Sequence, residues 1–523
     1  MDRIPESIDT VQLSTDTYSK DLVAIYKSIP YMMYDKRLNA WHCYIEYIPT
    51  LMEKIKDIAD TTALQPWYDL VKSWEQTHEL QEIAQETLPF TPYDFQIEDA
   101  KKLIALKVGL NGNEVGCGKT FEQVIIGESI PMKKLVICPP TLRLNWEHEI
   151  KMVNKDANVH ILYSNKPFDA SADWNIIGYN SIEKFMGLLE KECFQVIMLD
   201  EAHFIQAVNN FGVPSSKRAF GVLRLAATAQ YVFPITGTPK TSRNKNLFNI
   251  LRVMKHPLTR GQWAFQNYGR RYCNAKKTNW GMDYGGNSND AELNSILTPL
   301  MVRHLKKDVL PDLQKQRQAI PVDVNLMEYH QAIQEYLDKR LSNTGEALVA
   351  LNRAKQVVAI QKVKESIAFA KDLIEQDKKV VIVTCYTEVV KQIEKSIKGC
   401  LKIVGGMSDK EKNAAIQQFQ NGDAPAIVLN IIAGGVGITL TASSTMIIND
   451  IPWVTGELEQ AEGRIWRSGQ TETAMIYYIM ANNCVMDEKL INTIVYKSRT
   501  INDAIDGGIG EEIDLKALLE KSL

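Results

Sequence analysis

The chain has 523 residues, 45% of them hydrophobic and 24% charged, with a formal net charge of −3. This is the balance of a globular protein with room for three or four domains of about 150 residues each. No run of about 18 apolar residues exists to cross a membrane as a helix, and the opening Met-Asp-Arg-Ile-Pro-Glu is not a secretory leader. Eight scattered cysteines without a Cys-x-x-Cys pair speak against a zinc site or disulfide framework and for a reducing interior.

In chain order, Ile25 to Asp35 leads on to Trp41, Tyr44, Ile45, Tyr47 and Leu51, the pattern of a small amphipathic unit packing its aromatics. The apolar run Leu103 to Leu110 predicts a strand. It is followed by Asn113-Glu-Val-Gly-Cys-Gly-Lys-Thr120 and then a helix from Phe121. Gly116 and Gly118 would let backbone N–H groups turn toward phosphate oxygens at the positive end of that helix. Lys119 would reach the β- and γ-phosphates, and the Thr120 hydroxyl would ligate magnesium. The strict phosphate-loop pattern has glycine where this chain has Asn113.

Further strands are expected near 135–138, 159–162, 174–177, 196–199 and 232–236. The strand near 196–199 ends in Asp200-Glu201-Ala202-His203, eighty residues after Thr120. One carboxylate can hold a metal and the other can polarise an attacking water. Acidic pairs at strand ends are also ordinary surface features, but a phosphate loop upstream makes the catalytic reading the better one.

Residues 243 to 317 carry fourteen Lys/Arg against five Asp/Glu, a local +9 that leaves −12 for the remainder. The cations cluster at Arg270-Arg271, Lys276-Lys277, Arg303, Lys306-Lys307 and Lys315 to Arg317, among Trp263, Tyr268, Tyr272 and Trp280. Such a band suits a phosphate backbone, or it is a solvated helical face. Between 326 and 371 only Gly345 interrupts a helical stretch. A second strand–helix array follows, with strands near 380–384, 401–404, 426–430, 446–449 and 475–479. A glycine-rich turn at 433–441 follows its third strand. Arg464 and Arg467, at i and i+3 of an expected helix, could grip an anion or pair with Glu457, Glu459 or Glu462.

The ordered set resembles the superfamily-two helicase core, specifically the Swi/Snf-related DNA translocases. Further matches carry the resemblance: Pro92-Tyr-Asp-Phe-Gln96, Val136-Ile-Cys-Pro-Pro-Thr-Leu-Arg-Leu-Asn-Trp146, Ile235-Thr-Gly-Thr-Pro239, Val302-Arg-His-Leu-Lys-Lys-Asp-Val309 (with His304 for the family's second arginine) and Asp450-Ile-Pro-Trp453. Arg271 to Ala275, Trp280 to Tyr284 and Ser288 to Leu293 are similar to the annealing-helicase branch, and residues 25–51 resemble its HARP domain.

The resemblance implies an α/β fold: two RecA-like parallel-sheet lobes, helical insertions between them and a small N-terminal accessory domain. The expected divisions are 1–85 for the HARP-like domain, 86–255 for lobe one, 256–365 for the basic insertions, 366–500 for lobe two and 501–523 for an acidic tail. It implies ATP and Mg2+ in a cleft between the lobes, with Gln96 reading adenine, Asp200 and Thr120 holding the metal, Glu201 orienting water, and Arg464 and Arg467 acting as fingers. His203, Thr236, Thr238 and Gln460 would couple the nucleotide to DNA. Thr141, Arg143, Arg270, Arg271, Arg303, Lys306, Lys307, Gly435 and Thr439 would touch the DNA backbone, with little sequence preference.

The expected activity is ATP-dependent translocation on duplex or branched DNA coupled to annealing, branch migration or fork remodelling. A single-strand-binding or replication protein is a possible partner. A motor that strips proteins from DNA, and a hydrolysis-dead nucleic-acid-binding protein, are the competing readings. A cytoplasmic location, bacterial or viral, is expected, with the nucleus left open.

Overall fold

The structure, a computed structural model, describes residues 9–14, 19–36, 38–74, 88, 91–163, 168–237, 239, 243–279, 281–310, 314–340, 344–431, 438–482, 484 and 487. The chain divides into two compact units, residues 1–113 with 119–303 and residues 114–118 with 304–523.

The first unit begins with a small module. Strands β1 (Thr10–Leu13), β2 (Met33–Asp35) and β3 (Ala40–Tyr44) form an antiparallel sheet in the order β1-β3-β2. Helices α1 (Lys20–Ser28), α2 (Ile48–Ile55) and α3 (Gln65–Ser73) complete it. Ser19 caps α1 by accepting the Leu22 N–H, and the apolar face of α1 (Leu22, Tyr26) meets Ile48, Leu51, Met52 and Ile55 of α2 in one core.

This module is stitched to the rest of its unit by charge. Asp9 accepts two bonds from Arg252 at 3.0 and 2.9 Å, Arg260 pairs with Glu46, and the Tyr44 hydroxyl accepts the Gly261 N–H at 3.1 Å. The Lys255 ammonium lies 4.0 Å over the Trp74 ring, and the Trp74 carbonyl accepts from Lys107 and Gln230.

Next come α4 (Asp94–Leu106), β4 (Leu110–Asn111), α5 (Lys119–Ser129), β5 (Lys134–Cys138), α6 (Arg143–Val153), β6 (Val159–Ile161), β7 (Trp174–Gly178), α7 (Ile182–Glu192), β8 (Val196–Asp200), α8 (Lys217–Thr228) and β9 (Tyr231–Ile235). They are followed by α9 (Leu247–Val253), α10 (Ala264–Tyr272), the hairpin β10 (Lys276–Thr278) and β11 (Gly281–Asp283), α11 (Asp290–Leu297) and β12 (Met301–Val302). Seven strands form a parallel sheet in the order β12-β4-β9-β8-β5-β7-β6. Strands β5, β7, β8 and β9 are buried at every position, as a sheet covered on both faces requires.

One expectation fails in this unit. The apolar run Leu103–Leu110 is mostly helix, because Phe95, Ala100 and Leu103 give α4 a buried helical face and Gln96 closes a capping box with Tyr93. Only Leu110–Asn111 remains strand. Residues 256–303 pack with this unit, since β12 returns to pair in parallel with β4.

The second unit holds α12 (Lys306–Val309), β13 (Lys315–Val322), α13 (Leu326–Arg340), α14 (Thr344–Ile374), β14 (Val380–Thr384), α15 (Thr387–Ser396), β15 (Leu401–Ile403), α16 (Asp409–Asn421), β16 (Ala426–Asn430), β17 (Thr445–Ile448), α17 (Thr455–Glu462) and β18 (Ala474–Ala481). Its six strands are parallel in the order β13-β18-β17-β14-β16-β15. The five expected strands appear. The sixth, β13, was hidden because its charged and polar residues mask an edge strand running eight residues along β18. Among the described residues no helix is long and apolar enough to cross a membrane. The expected tail at 501–523 lies outside the described residues.

Candidate active site

In the first unit, strand β4 is separated from β5 by β9 and β8, so the loop that leaves β4 for α5 opens at a reversal of strand order. That is where parallel sheets form ligand crevices. Gly116 (φ +93°) and Gly118 (φ +79°) take left-handed backbone that a side chain would strain. Residues 114–118 pack with the second unit. A Cβ on Gly116 would stand 2.8 Å from Cβ of Arg467 and 2.9 Å from Cε of Lys306.

Lys119, the first residue of α5, donates to the Asn113 carbonyl at 2.8 Å. Asn113 has a physical reason to replace glycine. Its amide donates to Asp99 at 2.7 Å and to Glu122 at 3.2 Å, while Asn111 donates to Glu122 at 2.8 Å. Burial first, then Asp99, pushes the Glu122 carboxyl well above the usual range. Sequence reading missed Asn111, Asp99 and Glu122, whose only signal was polar residues flanking the loop.

Strand β8 ends at Asp200, and Glu201 turns out of it in the left-handed region (φ 52°). For a glutamate this conformation costs about 1 kcal/mol or more and redirects the second carboxylate. Asp200 Oδ2 accepts the Trp146 indole N–H at 2.8 Å and Oδ1 accepts the Glu201 N–H at 2.9 Å. The Tyr179 hydroxyl donates to the Asp200 carbonyl at 2.9 Å. Burial first, then Glu201, pushes Asp200 up to about 7, against the Trp146 bond and the Lys119 charge. Oxygen donors at Asp200 and Thr120, with the Glu201 carboxylate and the Lys119 ammonium nearby, suit a hard divalent cation with phosphate, since a cation relieves the repulsion that burial magnifies. The donor set therefore fits Mg2+ with a nucleotide. His203 Nδ1 lies 3.0 Å from Glu201 Oε2, and the His203 ring lies 4.8 Å from that of Phe204, tilted by 33°.

Backbone contacts tie these loops together. The Thr236 N–H bonds to the Asn111 carbonyl, and Gln206 donates to the Pro239 carbonyl at 2.7 Å. Arg303, expected on DNA, donates to the Gly112 and Gly237 carbonyls and so braces both loops. Gln96 is buried, with Oε1 accepting the Tyr93 N–H at 3.1 Å. Arg143 donates to the Pro140 carbonyl and covers the Tyr163 ring at 4.5 Å. Thr141 sits in the short turn before α6.

In the second unit α17 ends at Glu462, so Arg464 and Arg467 lie in the turns after it and not at i and i+3 of a helix. Arg464 is buried, and burial pushes its guanidinium down to about 10. Glu462, offered as a partner for these arginines, instead accepts from Arg317 at two 2.7 Å bonds, from Lys315 at 3.2 Å and from Tyr478. Gln460 and Thr439 are half-buried.

The basic band is thus divided. Lys315 and Arg317 serve a buried carboxylate. Lys306 is buried too, its ammonium on the Trp466 carbonyl at 2.6 Å and 3.6 Å over that ring, so it is corrected from a surface contact to a packed one. Desolvation pushes Lys306 down to about 7. Arg270, Arg271, Lys276, Lys277 and Lys307 are exposed, with Arg271 held on Glu292. Thr238 and Gly435 lie outside the described residues.

Comparison with known proteins matches residues 44–380 to the SNF2-related domain and residues 335–469 to the helicase conserved C-terminal domain. The chain is 26% identical over 534 aligned positions to the SWI/SNF-related matrix-associated actin-dependent regulator of chromatin subfamily A-like protein 1 of Bos taurus, covering 93% of this chain and 54% of that protein. It is 28% identical over 431 positions to the DNA annealing helicase and endonuclease ZRANB3 of Homo sapiens, covering 76% of this chain and 38% of that protein. The chain thus spans about half or less of the length of these relatives. A Sulfolobus solfataricus SWI2/SNF2 ATPase core in complex with dsDNA aligns at 21% identity and a TM-score of 0.40, over 82% of this chain and 96% of that one.

Proposed function

The chain belongs to the SNF2-related family, and from that premise we propose that it is a DNA-dependent ATPase that translocates on duplex or branched DNA and couples hydrolysis to strand annealing, branch migration or fork remodelling. The observation that carries the reading is the convergence of Lys119, after the loop that leaves β4, with the Asp200–Glu201 pair at the carboxyl end of β8, both interior strands of the first sheet. The relative named a DNA annealing helicase supports the annealing part.

Lys119 would exchange the Asn113 carbonyl for phosphate oxygens, and the N–H groups from Gly116 to Thr120 would cradle them. The Thr120 hydroxyl and Asp200 would hold the cation. Magnesium, when bound, neutralises charge on the phosphates during transfer. Glu201, aimed by its left-handed backbone and steadied by His203, would orient the attacking water. Arg464 and Arg467 are proposed as the groups that stabilise the developing charge. Thr236, Gln206 and Arg303 would pass the state of the loop to the nucleic-acid side, with Thr238 and Gln460 as further coupling groups. DNA would meet Thr141, Arg143, Arg270, Arg271, Lys307, Gly435 and Thr439 through its backbone.

The test is ATP hydrolysis measured side by side with no DNA and with single-stranded, duplex and forked DNA. Duplex or forked DNA should raise turnover, and Lys119→Ala or Glu201→Gln should abolish it while DNA binding persists. Turnover that ignores DNA, or near-normal turnover in Glu201→Gln, overturns the reading.

A further inference from the structure

Phe211 is the most exposed large hydrophobic side chain among the described residues of the first unit, at 65% of its free surface. It is not on a loose loop. Asn209 Oδ1 accepts the N–H groups of Phe211 and Val213 at 2.8 and 3.0 Å, Asn209 N–H bonds to the Val213 carbonyl, and Val208 bridges Pro214. Gly212 beside it takes φ +78°, and a Cβ there would come within 2.4 Å of Phe265. A rigid loop therefore thrusts a phenyl ring into water, where its apolar surface gains nothing for the fold.

The loop is locked to a basic hairpin. Phe265, which receives Gly212, stacks edge-on to Tyr284 at 5.2 Å, directly after β11. Asn210 donates to the Met282 carbonyl within β11 at 3.1 Å. Across that hairpin Lys276 faces Asp283 and Lys277 faces Met282, and both lysines are exposed. The Asp283 carboxylate accepts the Gly285 N–H at 2.9 Å. Exposed Arg243 has its Nη1 3.5 Å from where a Gly285 Cβ would stand, close to the Asp283 carboxylate. Trp263, just ahead of α10, is exposed as well, at 60%.

An apolar protein partner would have to cover the exposed Lys276 and Lys277 ammoniums here. An anionic polymer with free π-faces meets both features, and paired bases in a duplex offer no such faces. We propose that Phe211, with Lys276 and Lys277, forms a stacking platform for unpaired nucleotides where a DNA duplex branches. This rests on the reading of the chain as a branched-DNA motor and adds the group that distinguishes a branch from plain duplex.

The experiment uses the full chain without nucleotide and forked DNA carrying 2-aminopurine at successive positions of the unpaired arm. The wild type should quench the probe nearest the branch. Phe211→Ala should lose that quench and bind the fork about tenfold more weakly, the size of one lost base–aromatic stack. Phe211→Trp should restore both, and Lys276→Glu with Lys277→Glu should weaken fork binding most at low salt. Because the ring is exposed, Phe211→Ala should melt as the wild type does and keep its blunt-duplex ATPase. Quenching by Phe211→Ala equal to wild type, or no quench by wild type at any position, overturns the platform. Absence of DNA-stimulated ATPase in the wild type would strike the motor reading instead, while the nucleotide-free quench still decides the platform.

Discussion

The Trp146 indole N–H reaches Oδ2 of Asp200 at 2.8 Å, and both residues are buried. One bond thus ties α6 to the end of β8 and fixes the rotamer of the carboxylate assigned to the metal. Its effect on Asp200 is to favour the charged form against strong desolvation.

Trp146→Phe keeps most of the buried ring and deletes that donor. Cation affinity in the ATPase assay should fall about 10- to 100-fold, the usual cost of removing a partner that orients a metal ligand. A Mg2+ titration of turnover checks it. An unchanged half-saturation point would show that Asp200 needs no such support.

Arg467→Ala should cut DNA-stimulated turnover by on the order of a thousandfold if this residue serves as the finger, with little change in nucleotide affinity. Arg464→Ala is a less clean test, since Arg464 is buried and its loss disturbs packing around Ile465 and Trp466. Turnover and melting temperature should therefore be read together for both variants. Normal hydrolysis in both removes these arginines from the chemistry.

Glu462→Gln should destabilise the second unit by about 3–5 kcal/mol, because Arg317 and Lys315 would keep buried charges without their carboxylate. Burial alone would raise Glu462, but Arg317 and Lys315 reverse this and hold it well below the usual carboxylate range. Its folded-state affinity for a proton is thus weaker than in the unfolded chain. The stability it contributes is present above the ordinary glutamate range near pH 4.5 and is lost as pH falls below it. The stability gap between wild type and Glu462→Gln in denaturant melts should narrow from pH 7 to pH 3.5, by about 1 kcal/mol for each pH unit below the ordinary glutamate range. Parallel curves would refute the linkage.

Sequence alone suggests that residues 1–85 could be cut away to leave a working ATPase. The structure argues against that, because removal would strip Asp9, Glu46 and Trp74 from Arg252, Arg260 and Lys255. The truncated protein should be poorly soluble or melt well below the full chain. A milder probe is Glu46→Gln. Burial first pushes Lys255 down to about 7, with Glu46 acting to raise it. The unfolded chain holds that proton up to the ordinary lysine range near pH 10.5, so this group makes stability rise with pH between about 7 and 10.5. Glu46→Gln should lower the melting temperature and extend that rise to lower pH. A truncation that melts like the parent would show the module to be independent.

Both parallel sheets were legible because fully covered strands are continuous apolar runs, as at Val196–Leu199 and Val380–Val383. The candidate phosphate loop and the acidic pair were legible because their residue types and order carry the chemistry. Local sequence did not reveal α4, since a run such as Leu103–Leu110 is apolar under either period. It also hid β13, where Lys315 and Arg317 read as surface charge until Glu462, some 145 residues away, supplied a buried partner. The fate of each cation in the basic band was likewise a tertiary matter. Lys306 and Lys307 are neighbours of the same type, yet one is packed on Trp466 and the other faces solvent. Sequence determines which groups exist and how often the chain repeats its apolar pattern. Burial and long-range pairing decide which of those charges are spent inside the protein and which are left to meet a ligand.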